Sequence, residues 1–125
     1  MSFDNTPVIF LEIDDFKNGV LSYKGKPITT GVWFIMIQAS FCGYCTKSKP
    51  AFIEAARQSA GKGVVFATIH SDSENAPERD LGKEISSITG LSIPGIPFFV
   101  VYNAATRKFT KYDGERDVNG FLSIK

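Results

Sequence analysis

Continuous apolar runs alternate along the chain with segments of mixed polarity. Four of these runs predict buried strands, at residues 8–13, 32–39, 64–69 and 98–102. They consist almost entirely of apolar, β-branched and aromatic residues, as is typical of strands covered on both faces. Residues 107–112 alternate in polarity and predict a fifth strand, joined to the fourth by a connection of hairpin length.

The segments between these runs predict helices. One runs from residue 43 to about residue 60, because Phe52, Ala55, Ala56 and Ser59 recur at helical spacing. A second begins near Asn75 and runs to residues 87–90, and a short one covers residues 117–124. Residues 14–16 suit a helix start, whereas residues 21–23 fit either a helix or a hairpin arm. The order β-α-β-α-β-α-β-β-α predicts an α/β fold with a central mixed sheet and helices on both faces.

Length and composition indicate one globular domain over residues 1–125. Hydrophobic residues make up 43% and charged residues 22%, which argues against disorder. The net charge of +1 supplies no broad field for nucleic acid or anionic lipid. The start lacks a basic segment followed by a long apolar one, so we expect a cytoplasmic protein with no membrane partner. We also expect the protein to act as a monomer.

Two cysteines three positions apart are the strongest chemical signal. Cys42 and Cys45 fall at the start of a predicted helix, on one face of its first turn, where their sulfurs can meet. Unpaired N–H groups and the positive end of the helix dipole favour a Cys42 thiolate. We therefore expect Cys42 to exchange with a disulfide and Cys45 to resolve the mixed disulfide.

Two other interpretations of the cysteines are weaker. Zinc needs four ligands, and the chain offers only Cys42, Cys45 and His70, so we expect neither a metal nor another cofactor. Two small buried thiols could also serve only as core residues. The strand before the pair and the helix after it favour a redox dithiol.

Several motifs, taken in order, resemble those of the thioredoxin superfamily, and thioredoxins and protein disulfide isomerase domains more than glutaredoxins. They are the CGYC at residues 42–45, Pro50, Gly95-Ile96-Pro97 before an apolar strand, residues 112–116 before the last helix, and residues 9–11 with 14–16 at the front. The resemblance implies a thioredoxin-like three-layer sandwich over nearly the whole chain.

The resemblance also implies roles for residues near the dithiol. Pro97 would be the family's cis-proline, packed opposite the cysteines, and the backbone of Ile96 would pair with an extended substrate segment. Phe41 would stand where the family often has tryptophan, as a flat apolar contact. Gly43 and Tyr44 complete the expected substrate-contacting set, and Gly114 would lie near the substrate groove.

Some positions depart from the family pattern. A buried acid usually stands six residues before the first cysteine, and its lysine partner on the next strand; here these positions hold Met36 and Thr68. Without the acid, deprotonation of Cys45 would rely on water or substrate. Residues 71–93 are longer than usual and form either a specificity element or an inert insertion.

Charged residues outside the motif carry weaker signals. Lys47 and Lys49, which follow the dithiol, fit a solvated helix face best, although they could also favour the thiolate or an acidic partner. His70, at a strand end, is expected to be a solvated or capped residue.

These observations predict a thiol–disulfide oxidoreductase acting on protein disulfides. Its partners would be those substrates and a thiol reductant or reductase that the sequence does not identify. Tyr44 in the middle of the motif favours an alternative, a glutathione-linked reductase. A third interpretation is a non-catalytic thioredoxin-fold binding module, which Met36 and the long segment favour.

Overall fold

The computed structural model describes residues 3–17 and 20–124, which form eight strands and three α-helices. In chain order the elements are β1 (Ile9–Phe10), a 3-10 turn (Ile13–Asp15), β2 (Phe16–Lys17), β3 (Val20–Tyr23), β4 (Lys26–Pro27), β5 (Val32–Gln38), α1 (Gly43–Gln58), β6 (Val64–His70), α2 (Ala76–Thr89), β7 (Phe98–Asn103), β8 (Lys108–Lys111) and α3 (Val118–Leu122).

The central sheet is mixed, with the strand order β1-β6-β5-β7-β8. Strands β1, β6 and β5 are parallel, whereas β7 runs antiparallel to β5 and β8 antiparallel to β7. Every residue of β5 is buried because this central strand is covered on both faces. The predicted α/β class is therefore confirmed.

Alternate residues of β5 face two different layers, as the twofold repeat of a strand requires. Phe34 and Met36 belong to an apolar cluster that includes residues of α1 and α3. Trp33, Ile35 and Ile37 belong to a second cluster, which includes Leu81 and Ile85 of α2. Helices thus lie on both faces of the sheet, and the three-layer sandwich is confirmed.

The front of the chain differs from the prediction. The strand expected at residues 8–13 shortens to Ile9–Phe10, and the helix expected at residues 14–16 is a single 3-10 turn. Residues 21–23 are a hairpin arm, in a small second sheet of order β2-β3-β4. Phe16 pairs with Leu21 across this sheet and both are buried, so extended pairing covers the core here better than one helical turn would. The Asn-Gly pair at residues 18 and 19 predicts a break in the pattern, and this pair lies outside the described residues.

The long segment between β6 and β7 consists mostly of α2. The Asn75 side chain accepts a hydrogen bond from the Glu78 amide at 3.2 Å and caps the helix start. Gly90 ends it in the left-handed region, with φ 72°. Leu81 and Ile85 anchor α2 on the sheet. Within residues 3–17 and 20–124, none of the helices combines the length and the apolar character that crossing a bilayer requires.

Candidate functional site

Cys42 is the N-cap residue of α1, and Cys45 lies in its first turn. The two form a disulfide with their Cα atoms 5.2 Å apart. The Cys45 amide donates a hydrogen bond to Cys42 Sγ at 3.1 Å, so the first sulfur satisfies one of the free N–H groups at the helix start. An N–H group that points at a sulfur stabilises negative charge on it, which favours a thiolate at Cys42 after reduction.

The two sulfurs differ in depth. Cys42 is 9% exposed, whereas Cys45 is completely buried. Cys45 follows Cys42 by three positions on the same face of the helix, and this face is buried at Cys45. Cys42 is therefore the more accessible of the two sulfurs.

The loop before β7 faces the disulfide. Cys42 Sγ lies 3.7 Å from the carbonyl oxygen of Ile96. The Ile96–Pro97 peptide bond is cis, and Pro97 is buried immediately before β7. The structure thus brings together residues that are more than fifty positions apart in the chain.

Two exposed aromatic side chains flank the sulfurs. Phe41 is 79% exposed and Tyr44 is 69% exposed, the two large apolar side chains that stand out into solvent in the described ranges. Gly43, between the motif cysteines, is exposed as well. The Lys47 ammonium lies 5.5 Å from the centre of the Tyr44 ring. Exposed aromatics beside a reactive group are suited to contacting a partner.

A groove of about 390 Å³ extends from the loop before β7 toward the end of β8. We call it the proline groove; it is lined by Pro94, Gly95, Ile96, Pro97, Phe98, Phe99, Lys111, Tyr112, Asp113, Gly114 and Arg116. The Lys111 ammonium pairs with Asp113 at 3.0 Å, and the Arg116 guanidinium lies 5.4 Å from the centre of the Phe99 ring. Gly114, which the resemblance places near the substrate groove, lines this groove.

Behind the disulfide, Met36 and Thr68 form a register pair of β5 and β6. We call it the inner pair. Both side chains are completely buried, and Met36 lies in the same apolar cluster as Cys42 and Cys45. The Thr68 hydroxyl donates a hydrogen bond to the Met36 carbonyl oxygen at 2.8 Å, so its polarity is satisfied locally. The positions at which the family usually has an acid and a lysine are therefore neighbours in this protein, and neither holds an ionisable group.

The next register pair on the same face, Gln38 and His70, is polar. This outer pair lines a pocket of about 200 Å³ under the first turns of α1. The polar pocket is lined by Phe3, Asp4, Phe10, Gln38, Ser40, Thr46, Lys49 and His70. Gln38 is 2% exposed, and its Oε1 atom has no hydrogen-bond partner among the described residues.

Lys49 corrects a prediction. Its side chain was expected on a solvated helix face, yet it is only 5% exposed and its ammonium lies 5.6 Å from the centre of the Phe3 ring. Burial lowers the pKa of Lys49, and the negative charge of Asp72 opposes this shift without cancelling it. Lys47, by contrast, is exposed as predicted.

His70 joins a hydrogen-bonded group at the mouth of the site. Its Nε2 atom lies 2.8 Å from Ser40 Oγ and 2.9 Å from Asp72 Oδ1. The Ser40 amide donates to both Asp72 oxygens, at 2.9 and 3.0 Å. Burial alone would raise the pKa of Asp72, but the hydrogen bond from the Ser40 amide, the charge of His70 and the hydrogen bond from the Phe41 amide outweigh it, so this pKa is lowered. Asp72 therefore holds the two residues that precede Cys42.

Comparison with known proteins decides the family. Thioredoxin-like protein 453L of Invertebrate iridescent virus 6 is 33% identical to this chain over 110 residues, which cover 77% of this chain and 75% of the viral protein. This chain belongs to the thioredoxin-like family. The predicted membership in the thioredoxin superfamily is thereby confirmed, although no family model matches the sequence.

Solved structures show the same thioredoxin-like fold. The J-Trx1 fragment of ERdj5 superposes with a TM-score of 0.66 at 18% identity, over 97% of this chain and 50% of the fragment. Human ERp44 gives a TM-score of 0.67 at 16% identity, over 98% of this chain and 29% of ERp44. The Trx4 domain of ERdj5 gives 0.64 at 19% identity, over 94% and 91%. This chain thus spans half of the ERdj5 J-Trx1 fragment, under a third of ERp44 and nearly all of the ERdj5 Trx4 domain.

The sequence interpretation missed Gln38 and placed Lys49 of this thioredoxin-like protein on the wrong helix face. Gln38 continues the every-second-residue pattern of Phe34 and Met36, which places it on the face that meets α1. Lys49 follows Cys45 by one helical turn and precedes Ile53 by one turn, on the buried face. Among the described residues no group of three or more histidine, cysteine or acidic side chains is arranged to hold a metal ion.

Proposed function

We propose that this thioredoxin-like protein is a thiol–disulfide oxidoreductase that acts on protein disulfides through Cys42 and Cys45. The Cys42 thiolate attacks one sulfur of a substrate disulfide, forming a mixed disulfide and releasing the other substrate sulfur as a thiolate. The Cys45 thiolate then attacks Cys42 Sγ, and the second substrate sulfur leaves with the electron pair. Two electrons pass to the substrate, and the protein ends with the Cys42–Cys45 disulfide.

One observation carries this proposal: the outer sulfur of a helix-capping disulfide lies 3.7 Å from the carbonyl oxygen of Ile96, beside an open groove. An extended peptide in the proline groove could pair with the backbone near Ile96 while its disulfide meets Cys42. Phe41 and Tyr44 offer exposed apolar surface on either side of that sulfur. These features support a polypeptide substrate better than a small free disulfide.

The depth of Cys45 supports the proposed division of labour. A completely buried thiol meets few external disulfides but is adjacent to Cys42 Sγ, so its attack is intramolecular. This attack competes with the reverse of the first step, in which the free substrate thiolate re-forms the substrate disulfide and releases Cys42.

The test is reduction of insulin disulfides by the wild-type protein and its cysteine variants, with dithiothreitol as the recycling thiol. We expect Cys42→Ser to reduce insulin no faster than dithiothreitol alone does. We expect Cys45→Ser to accumulate mixed disulfides on Cys42. The double variant Cys42→Ser/Cys45→Ser is the matched blank. Mixed disulfides trapped on Cys45 in Cys42→Ser would reverse the two roles, and turnover by the blank would contradict the proposal.

Exposed Tyr44 favours a second candidate, reduction of small glutathione mixed disulfides. A glutathione-coupled assay on such a substrate separates the two activities. We expect this activity to be well below that on insulin, and the reverse order would favour the second candidate. A binding module without catalysis would show neither activity, and its partner affinity would not change with reductant.

The cellular setting forms part of the proposal. We propose a cytoplasmic monomer whose disulfide is recycled by a thiol reductant or a reductase, because reducing compartments keep such pairs available for donation. Trapping of the thiols by alkylation in intact cells should show mainly reduced Cys42 and Cys45. Size-exclusion chromatography should show one chain per particle under reducing and oxidising conditions.

A further inference from the structure

Resolution requires a Cys45 thiolate in a place where charge is costly. Cys45 is completely buried, and desolvation raises the pKa of a thiol. The inner pair behind it cannot accept a proton, because Met36 has no ionisable group and the Thr68 hydroxyl is committed to the Met36 carbonyl oxygen. Some other feature must favour the thiolate if resolution is to be fast.

Lys49 is the cation closest to Cys45 along the buried face of α1. It follows Cys45 by four residues, so the two side chains are neighbours on that face. Long side chains in a helix lean toward its N-terminus and cover the preceding turn, which here contains Cys45 and Thr46. The contacts agree, because Lys49 and Thr46 line the polar pocket together.

Lys49 is a buried cation surrounded by titratable groups. Lys49 is only 5% exposed, and a lysine buried to this extent is normally paired. The titratable groups that face it are Asp4 from the N-terminal segment, His70 from β6 and Asp72 from the loop after β6. Of these groups, the negative charge of Asp72 acts on the ammonium.

The polar pocket also gives Lys49 access to water. Its volume of about 200 Å³ and its polar lining can accommodate several water molecules. The buried Oε1 atom of Gln38 is a free acceptor for such a water. His70 at the mouth is partly exposed, which links the pocket with bulk solvent.

We propose that Lys49 is a positioning residue for resolution, whose ammonium stabilises the Cys45 thiolate in place of the buried acid that this chain lacks. The inference rests on the proposed function. The Cys45 thiol gives its proton to water, and the resulting thiolate attacks Cys42 Sγ. The Cys42–substrate bond breaks, the Cys42–Cys45 bond forms, and the substrate sulfur leaves with the electron pair.

Dithiobisnitrobenzoate tests this step in the full chain without a physiological substrate. The reduced protein releases one thionitrobenzoate when Cys42 reacts and a second when Cys45 resolves the mixed disulfide. Lys49→Met keeps the length of the side chain and removes its charge; Lys47→Met is the matched control on the exposed face of the same helix. Both releases are followed across a pH series.

We expect Lys49→Met to slow the second release about tenfold at neutral pH and to raise its apparent pKa by about one unit. The first release should stay within about twofold of wild type, and Lys47→Met should change neither. Lys49→Arg keeps the positive charge and should preserve the wild-type pH profile. An unchanged profile in Lys49→Met, an equal shift of both releases, or equal slowing in the Met and Arg variants would overturn the proposal.

A direct titration separates this inference from the proposed function. In Cys42→Ser the absorbance of the single remaining thiolate reports the pKa of Cys45, and adding Lys49→Met should raise that pKa by about one unit. This result needs no turnover, so a protein that fails the insulin assay could still show it. Should Lys49→Met not fold, Lys49→Gln replaces it in both measurements, with the same expected shifts.

Discussion

The inner and outer pairs lie side by side on the same two strands and face the same helix, yet they have opposite characters. Met36 and Thr68 are sealed from solvent, and their one polar side chain is satisfied by the strand itself. Gln38 and His70 line a polar pocket that includes a lysine and an aspartate. A shift of two residues along a strand, about 7 Å, separates a site that excludes charge from one that accepts it.

The difference shows that access to solvent, more than the fold, decides where this site can place a charge. An ion in the inner pair would lose its hydration and gain no counter-ion. At the outer pair, the end of β5, the turn before Cys42 and the first turns of α1 leave room for water. Substitutions at four positions test this contrast.

Glutamate substitutions at positions 36 and 38 should give the largest difference in the free energy of unfolding. We expect Met36→Glu to lower the free energy of unfolding by about 3 kcal/mol or more at neutral pH, because it buries an unpaired carboxylate. Gln38→Glu puts that carboxylate beside Lys49 and His70 and should cost about 1 kcal/mol or less. Urea unfolding measures both.

The pH dependence gives a second check on this pair. Burial raises the pKa of the carboxyl introduced by Met36→Glu, so the loss of stability should shrink as the pH falls through that raised value and the carboxyl becomes neutral. Equal losses in the two variants would contradict the contrast between the pairs.

Removing the amide of Gln38 should have the next largest effect. Gln38→Met removes a buried acceptor that has no partner among the described residues and that water in the pocket can satisfy, so we expect it to lower the free energy of unfolding by about 1 kcal/mol. The control is the reverse change at the inner position, Met36→Gln, which should cost about 1–3 kcal/mol. A stabilised Gln38→Met would mean that no water reaches this amide in the pocket.

A smaller effect is expected from Thr68→Val, which keeps the shape of the side chain. The Met36 carbonyl oxygen loses the hydroxyl that donates to it at 2.8 Å, so we expect a loss of about 1 kcal/mol in urea unfolding. Redox turnover should stay near wild type, because this hydroxyl takes no part in proton transfer. A large fall in the rate of resolution would show that the inner pair does handle a proton.

The smallest expected effect is that of Asp72→Asn at the mouth of the site. Its pKa is lowered in the folded protein, so Asp72 contributes stability above its ordinary pKa, and this contribution is lost as the pH falls through the folded value. We expect Asp72→Asn to cost less than about 1 kcal/mol at pH 7 and nothing in strong acid. Asp113→Asn, at the more exposed Lys111–Asp113 pair, is the control and should change stability less at pH 7.

Local pattern predicted most of the elements near the site. The apolar run at β5 and the helical spacing of Phe52, Ala55 and Ala56 are set by residues close together in the chain. The meeting of Cys42 and Cys45 also follows from helix geometry alone. The front of the chain was less predictable, because Phe16 and Leu21 gain their burial from pairing across a second sheet.

The sequence by itself determined the dithiol, its place at a helix start and the loss of the acid at position 36, since each depends on the identity or spacing of neighbouring residues. Only the tertiary structure decided that Lys49 is buried and that Gln38 shares a pocket with His70. Burial depends on which surfaces other elements cover, and those elements come from distant parts of the chain.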